Sequence, residues 1–225
     1  MQTLQIYGRL LQFPLFQGLG NNDLTHITGH TKFDFRKYAA GKRIVAEGQT
    51  CDGLMFLTNG KLLMTTTAYD HSYAVEEEPP APYTVQPECL FGLTQRYRST
   101  FTAITDTNFI IIGKKEVERL CETFTVVRMN LTNILATRSQ RLAAKPWRRQ
   151  PSDLRGRITT FIADRCQYPA GKKTIRILMS QLAGELNDTR QNVSQTLNAM
   201  QSDGLVSLHR GRIVVPSLER LIMGL

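Results

Sequence analysis

Cysteine is scarce in this chain, and Cys51, Cys89, Cys121 and Cys166 include no C-x-x-C pair. That spacing suits neither a zinc site nor a clustered iron–sulfur site, and it predicts ordinary buried or partly buried thiols. No apolar run reaches the roughly 20 residues that cross a bilayer. With no secretory signal either, the expectation is a soluble cytoplasmic protein with reduced thiols and no membrane partner. The histidines are His26, His30, His71 and His209. His26 and His30 have the spacing of two metal ligands on one helical face, but Gly29 weakens that helix and no third ligand follows, so they are read as surface or capping residues and no metal site is expected. A phosphate-cradling P-loop is missing, no carboxylate pair is placed for hydrolysis, and Ser180 and His209 lack an acid–base setting. Catalysis is therefore not expected.

What is present is positive charge, unevenly spread. Residues 146–225 hold twelve Lys plus Arg against six Asp plus Glu, a balance of +6, whereas the first 145 hold sixteen against thirteen, a balance of +3. At 225 residues the chain is long enough for two domains. The more basic one is expected to meet phosphates.

The most informative stretch runs from Ser180 to Gly204, SQLAGELNDTRQNVSQTLNAMQSDG. Leu182, Ala183 and Leu186 fall on one face of a short helix, and Val193, Leu197 and Met200 on one face of a second. Asn187 and Asp188 lie between them. Thr189 is placed to cap the second helix, and Gly204 suits its left-handed end. The opposite face presents Arg190, Gln191, Ser194 and Gln195 near the helix start. Arginine forks onto guanine and glutamine pairs with adenine, so this face reads as a DNA-recognition surface, with Ser180 and Thr189 beside it. Residues 205–208 and 213–215 read as strands around Arg210-Gly211-Arg212, a hairpin with a cationic tip. A helix-turn-helix with a basic wing is more specific than either part alone. The plainer alternative is an amphipathic helix pair with a solvated polar face, docking a protein partner and not DNA.

Upstream, residues 1–13 predict a short helix, and Asn21 or Asn22 caps another carrying Leu24 and Ile27. From Phe33 to Ile112 short apolar runs are broken by Gly41, Gly48, Gly53 and Gly60, which predicts a β roll or barrel. Asp70-His71 reads as a hairpin tip. Residues 76–82, EEEPPAP, read as a solvated acidic loop unable to continue a sheet, because proline lacks the N–H a ladder needs. Leu120, Phe124, Val127, Leu131, Ile134, Arg138 and Leu142 then recur at spacings of three and four, predicting one helix of about 25 residues. A stripe that long needs a partner. Part packs on its own domain, and a second copy is expected to cover the rest, with Phe124, Val127, Leu131, Ile134, Leu135 and Arg138 as the dimerisation set. Lys145-Pro146 to Pro151 reads as a hinge, 153–166 as a helix and 174–178 as a strand leading into the reader.

The fold class is thus α+β, with boundaries at 1–113 for the roll, 114–145 for the long helix and 146–225 for the winged helix-turn-helix. This order of parts resembles the Crp/Fnr superfamily of bacterial transcription regulators over nearly the whole chain. In the roll the resemblance rests on Phe16-Gln17-Gly18-Leu19, Gly41, Ile44, Glu47-Gly48, Asp52, Phe56-Leu57 and Gly60, the glycine-and-turn pattern of cyclic-nucleotide-binding folds. In the reader it rests on Leu182-Ala183, Leu186, Thr189-Arg190, Val193, Leu197 and Ile213-Val214-Val215. It departs at Asn187, where glycine is usual but asparagine tolerates the left-handed turn. It departs again at Gln191, where members of the cyclic-AMP receptor type carry an acid, which bears on the DNA sequence bound.

The resemblance implies an effector site at Glu88, Arg98, Ser99 and Thr100, where a carboxylate would meet a ribose hydroxyl and an arginine–serine pair a cyclic phosphate. Pro87 stands where glycine is usual, Thr100 where alanine is usual, and Lys145-Pro146 offers no hydroxyl pair to a purine. Cyclic nucleotide is therefore not the favoured ligand, and the cofactor or effector stays open among a small molecule, a redox signal or none. Haem belongs to the same superfamily, but no histidine here stands out as an axial ligand. The expected partners are double-stranded DNA with a palindromic site, a second copy of the chain and, through the resemblance, RNA polymerase.

Overall fold

The computed structural model describes residues 2–147, 149 and 151–224. The hinge read at 145–151 therefore includes Arg148 and Gln150, which lie outside the described residues. Two compact units emerge. The first is Met1–Lys61 with Pro80–Pro146, and the second is Leu62–Pro79 with Trp147–Leu225. The fold is α+β, an N-terminal β domain followed by a long helix and a winged helix-turn-helix.

In the first unit, α1 (Gln2–Leu10) and α2 (Asn21–His30) precede β1 (Phe33–Tyr38), β2 (Arg43–Val45) and β3 (Gly53–Asn59). The chain next leaves for the second unit as β4 (Leu62–Thr67) and β5 (Ala74–Glu77). It returns for β6 (Tyr83–Val85), β7 (Thr100–Ala103), β8 (Thr107–Gly113), α3 (Lys114–Thr123) and α4 (Thr125–Ala144). One antiparallel sheet runs β1-β8-β3-β6, and β2 pairs with β7. β3 is apolar at Leu54, Met55, Phe56 and Leu57, and all four are buried. The ring of Phe56 meets Phe13 and Phe16 at centroid distances of 4.9 and 5.6 Å, so the turn Pro14–Phe16 anchors the sheet's apolar face. Glycine is required where β3 ends, since Gly60 sits at φ +97° and a Cβ there would meet the Asp106 carbonyl oxygen at 2.6 Å.

The helical stripe predicted as continuous is divided. α3 stops at Thr123, Phe124 takes φ −116° and ψ 105°, and α4 restarts at Thr125. Phe124 is the N-cap of α4, its ring meeting His26 edge-on. Leu120 of α3 and Val127 and Leu131 of α4 are all buried, so the apolar spacing runs on through the break although the helix does not. The helix ends at Ala144, and Lys145–Trp147 forms a short 3-10 turn.

The second unit contains α5 (Leu154–Arg165), β9 (Lys173–Arg176), α6 (Met179–Glu185), α7 (Arg190–Ser202), β10 (Ser207–His209), β11 (Arg212–Val215) and α8 (Leu218–Met223). The Asp153 carboxylate caps α5 by accepting from the Gly156 N–H. One apolar core joins Ile158, Phe161, Ile162, Leu182, Leu186, Val193, Leu197 and Val215, and it includes Val75 from β5.

That last residue marks a correction. The segment read as a solvated acidic loop begins as strand β5, which pairs antiparallel with β4 on one edge and with β9 on the other. The strand ends at Glu77, and the prolines that follow leave Ala74–Glu77 able to pair on both sides. The acidic run is matched by a basic one. Glu76 pairs with Arg176 at 2.6 Å, Glu77 with Lys173 at 2.9 Å and Glu78 with Lys172 at 2.9 Å.

Candidate nucleic-acid interface

The helix-turn-helix forms where the sequence places it. α6 and α7 bury Leu182, Ala183, Leu186, Val193, Leu197 and Met200, six side chains that fix the crossing of the two helices through burial of apolar area. Asn187 adopts φ +50° in the turn, the left-handed conformation expected of it. The Thr189 hydroxyl accepts from the Asn192 N–H at 3.1 Å, and Gly204 closes α7 at φ +70°.

The turn carries a brace that sequence patterning missed. Arg157 on α5 donates to the Leu186 carbonyl at 2.8 Å and to the Asp188 carboxylate. Asp188 also accepts from the Asn192 side chain at 2.9 Å and from the Thr189 N–H at 2.8 Å. These bonds hold its carboxyl below the usual range, the Asn192 bond first among them. Nothing in local spacing links residue 157 to 188, since the pair is made by the packing of α5 on the reader.

With the apolar face buried, α7 turns Arg190, Gln191 and Gln195 outward, and Ser194 is partly exposed. Ser180 and Thr189 are exposed beside them. Among the described residues none accepts a hydrogen bond from the Arg190 guanidinium. The wing forms from β10 and β11 with register Ser207↔Val214 and His209↔Arg212. Gly211 turns its tip at φ +69°, leaving Arg210 and Arg212 exposed. A helix start bearing an arginine fork and amide groups, followed by a cationic tip, can meet base edges with the first and phosphates with the second.

The candidate effector residues come together in the first unit, and each is already engaged. Arg98 pairs with Glu47, and Glu88 pairs with Arg138 of α4. Ser99 is fully buried and accepts from Gln86 Nε2 at 3.0 Å. Gln86 Oε1 in turn accepts from the Arg98 N–H at 2.9 Å. The Thr100 hydroxyl accepts from the Glu47 N–H at 3.1 Å. Gln86, at φ +32°, is the residue that sequence reasoning missed. Beside it, burial pushes the Cys89 thiol up to about 11, with the Glu88 charge adding to the effect. All four cysteines are free thiols.

Two family models match. A cyclic nucleotide-binding domain covers residues 35–124, and a Crp-like helix-turn-helix domain covers residues 156–223. The chain belongs to the Crp/Fnr superfamily. It is a DNA-binding transcription regulator with a sensory domain. Among solved structures, the catabolite activator protein of Thermus thermophilus is 21% identical with a TM-score of 0.51, over 94% of this chain and 99% of that one. A Crp/Fnr-family transcriptional regulator from Eubacterium rectale is 20% identical with a TM-score of 0.52, over 94% and 97%. The sensor domain of the regulator DNR from Pseudomonas aeruginosa is 17% identical with a TM-score of 0.53, over 68% of this chain and 99% of that one. These likenesses carry the fold. Among curated proteins, none matches the sequence closely enough to count.

In this Crp/Fnr chain, α4 divides its side chains between two roles. Val127 and Leu131 are buried within the first unit, where the neighbouring Asn130 donates to the carbonyls of Leu15 and Gln17 at 3.1 and 2.8 Å. Phe124, Ile134, Leu135 and Arg138 are partly exposed. Val126, Met129 and Leu142 stand 38, 51 and 63% exposed. The open apolar face of α4 therefore lies beside the stripe picked out by spacing. His26 and His30 stack on each other at 4.2 Å, and His30 Nδ1 lies 2.9 Å from the His26 carbonyl. Among the described residues no cluster of three metal-ligating side chains forms, and no helix is long and apolar enough to cross a membrane.

Proposed function

We propose that this regulator is a cytoplasmic homodimer, without catalytic activity, that reads a palindromic DNA site with two copies of α7. One observation carries the reading. α7 buries its apolar face and leaves Arg190, Gln191 and Gln195 solvent-facing at its N-terminal end. In this reading Arg190 and Gln191 specify bases, Ser194 and Gln195 extend the contact, and Ser180, Thr189, Arg210 and Arg212 hold phosphates. The second copy lies along α4, covering Val126, Met129 and Leu142 with Ile134 and Leu135 at the margin. Val127 and Leu131 serve the chain's own core. Two-fold symmetry then sets two readers on half-sites one helical turn apart. In chain order the sensory part occupies residues 1–113, the coupling helix 114–145 and the winged helix-turn-helix itself 146–225.

The sensory cradle, on the same reading, is not a cyclic-nucleotide site. Its arginine, carboxylate and serine are each held by Glu47, Arg138 and Gln86. An effector of other chemistry acts on this domain, or the dimer is constitutive.

Selection of bound duplexes from a randomised pool tests the proposal. Inverted repeats with centres about 10 base pairs apart are expected. A pool that enriches no inverted repeat would overturn it and favour docking of a protein partner.

A further inference from the structure

The second unit holds a segment that no pattern in the reader itself requires. Residues Leu62–Pro79 lie within the span matched by the cyclic nucleotide-binding model, yet they belong to the compact unit that carries the helix-turn-helix. β5 pairs with β9 over four residues, Ala74↔Arg176, Val75↔Ile175, Glu76↔Thr174 and Glu77↔Lys173. β9 pairs in turn with β11 of the wing. Within this unit the strand order is therefore β10-β11-β9-β5-β4, with β5 and β4 supplied from far upstream.

The join is built as a core and not as a surface contact. Glu77 and Lys173 are both 0% exposed and 2.9 Å apart. Glu77 also accepts from the N–H groups of Gln167 and Tyr168 at 2.9 and 2.8 Å, and Lys173 donates to the Tyr168 carbonyl at 2.7 Å. A buried ion pair survives only when such bonds satisfy it, and removing one partner leaves the other charge stranded. Val75 is buried with Ile175 and Phe161. Tyr73 lies 5.6 Å from the Phe161 ring and accepts from Arg165 at 2.7 Å. Two further ion pairs flank the buried one, Lys172–Glu78 and Arg176–Glu76, each with an exposed cation and a largely covered carboxylate.

We propose that the DNA-reading unit is composite: the hairpin Leu62–Pro79 supplies two of its strands and stays paired with β9 while DNA is read, and Glu77 is a positioning residue of the reader. The hairpin leaves the polar residues of α7 exposed, so reading DNA does not require its departure. The chain then crosses between the units at 61/62, 79/80 and 146/147. An effector-driven change then has three covalent crossings to the reader open to it, the hinge being only one. The inference rests on the DNA-reading assignment above.

A reversible lock tests it in the full chain. Glu76→Cys with Thr174→Cys places two thiols on facing strand residues, with Cys121 and Cys166 changed to Ser. The reduced form is expected to bind the selected duplex, and the oxidised form to bind it within about twofold. Glu77→Ala is expected to weaken binding about tenfold or more in the reduced form, with oxidation restoring it to within about threefold. Where that variant fails to fold, Glu77→Leu with Lys173→Met removes both charges and is expected to bind like the unsubstituted reader. A loss beyond tenfold on locking, or no rescue by the lock, would overturn the composite reader. If the reduced double-cysteine form and the parent protein bind no duplex, the DNA-reading assignment itself falls, and this inference with it.

Discussion

Arg190 and Arg98 are both arginines placed close to a hydroxyl, and the chain disposes of them in opposite ways. Arg190 is exposed at the start of α7, with no protein acceptor among the described residues. Arg98 is paired with Glu47, and its neighbour Ser99 is buried against Gln86. The difference separates a surface kept ready for an outside partner from a cradle whose polar groups the protein satisfies for itself. Similar residue types do not make similar sites. What decides is whether their hydrogen-bonding capacity is left for a ligand or used within the fold.

The reader offers the largest effect by which to break this contrast. Arg190→Ala is expected to cost about 1–3 kcal/mol on the selected duplex, roughly 5- to 150-fold in affinity, while weakening random-sequence DNA far less. Competition binding with labelled cognate and scrambled duplexes measures both. Equal losses on the two would make Arg190 a phosphate contact only, and its openness would then carry no sequence information.

The wing sharpens the same contrast at smaller scale. Arg210→Ala with Arg212→Ala is expected to lower the slope of log K against log salt by about 2, since each phosphate contact contributes about 0.9. Sequence preference should be unchanged. Titrations at several salt concentrations decide it, and an unaltered slope would take the wing off the DNA backbone.

These differences also mark how far the amino-acid order could be read. The helix-turn-helix was legible because its signals are local: apolar positions three and four apart, Thr189 as a cap, and left-handed Asn187 and Gly204. All of these lie within 25 residues. The pairing of Glu77 with Lys173 joins positions 96 apart. Only the complementarity of residues 76–78 with 172, 173 and 176 hinted at it, and the prolines at 79, 80 and 82 pointed the other way. The break at Phe124 was invisible for a different reason. Hydrophobic spacing reports which positions along the chain are buried, and both helices bury theirs, so one extended residue between them leaves no mark in that record. The braces Arg157–Asp188 and Gln86–Ser99 depend on tertiary packing and leave no periodic trace.

The cradle gives the smallest expected effect, which is none. Millimolar cyclic AMP or cyclic GMP is expected to leave the melting temperature of the protein unchanged. A nucleotide at 100 times its Kd would stabilise the native state by about 2.7 kcal/mol, several degrees for a chain of this length. The Arg98–Glu47 pair is not the main obstacle, because both side chains are substantially exposed, at 49 and 38%, and such pairs contribute about 0–1 kcal/mol. The obstacle is Ser99, which is fully buried and would have to surrender its bond from Gln86 before meeting a phosphate. Glu47→Ala alone is therefore expected to create no nucleotide-dependent shift, although it removes the carboxylate facing Arg98. A shift of several degrees in the unsubstituted protein would show that Ser99 and Gln86 part readily. The cradle's internal bonds would then be exchangeable for a ligand's, and the contrast with Arg190 would lapse.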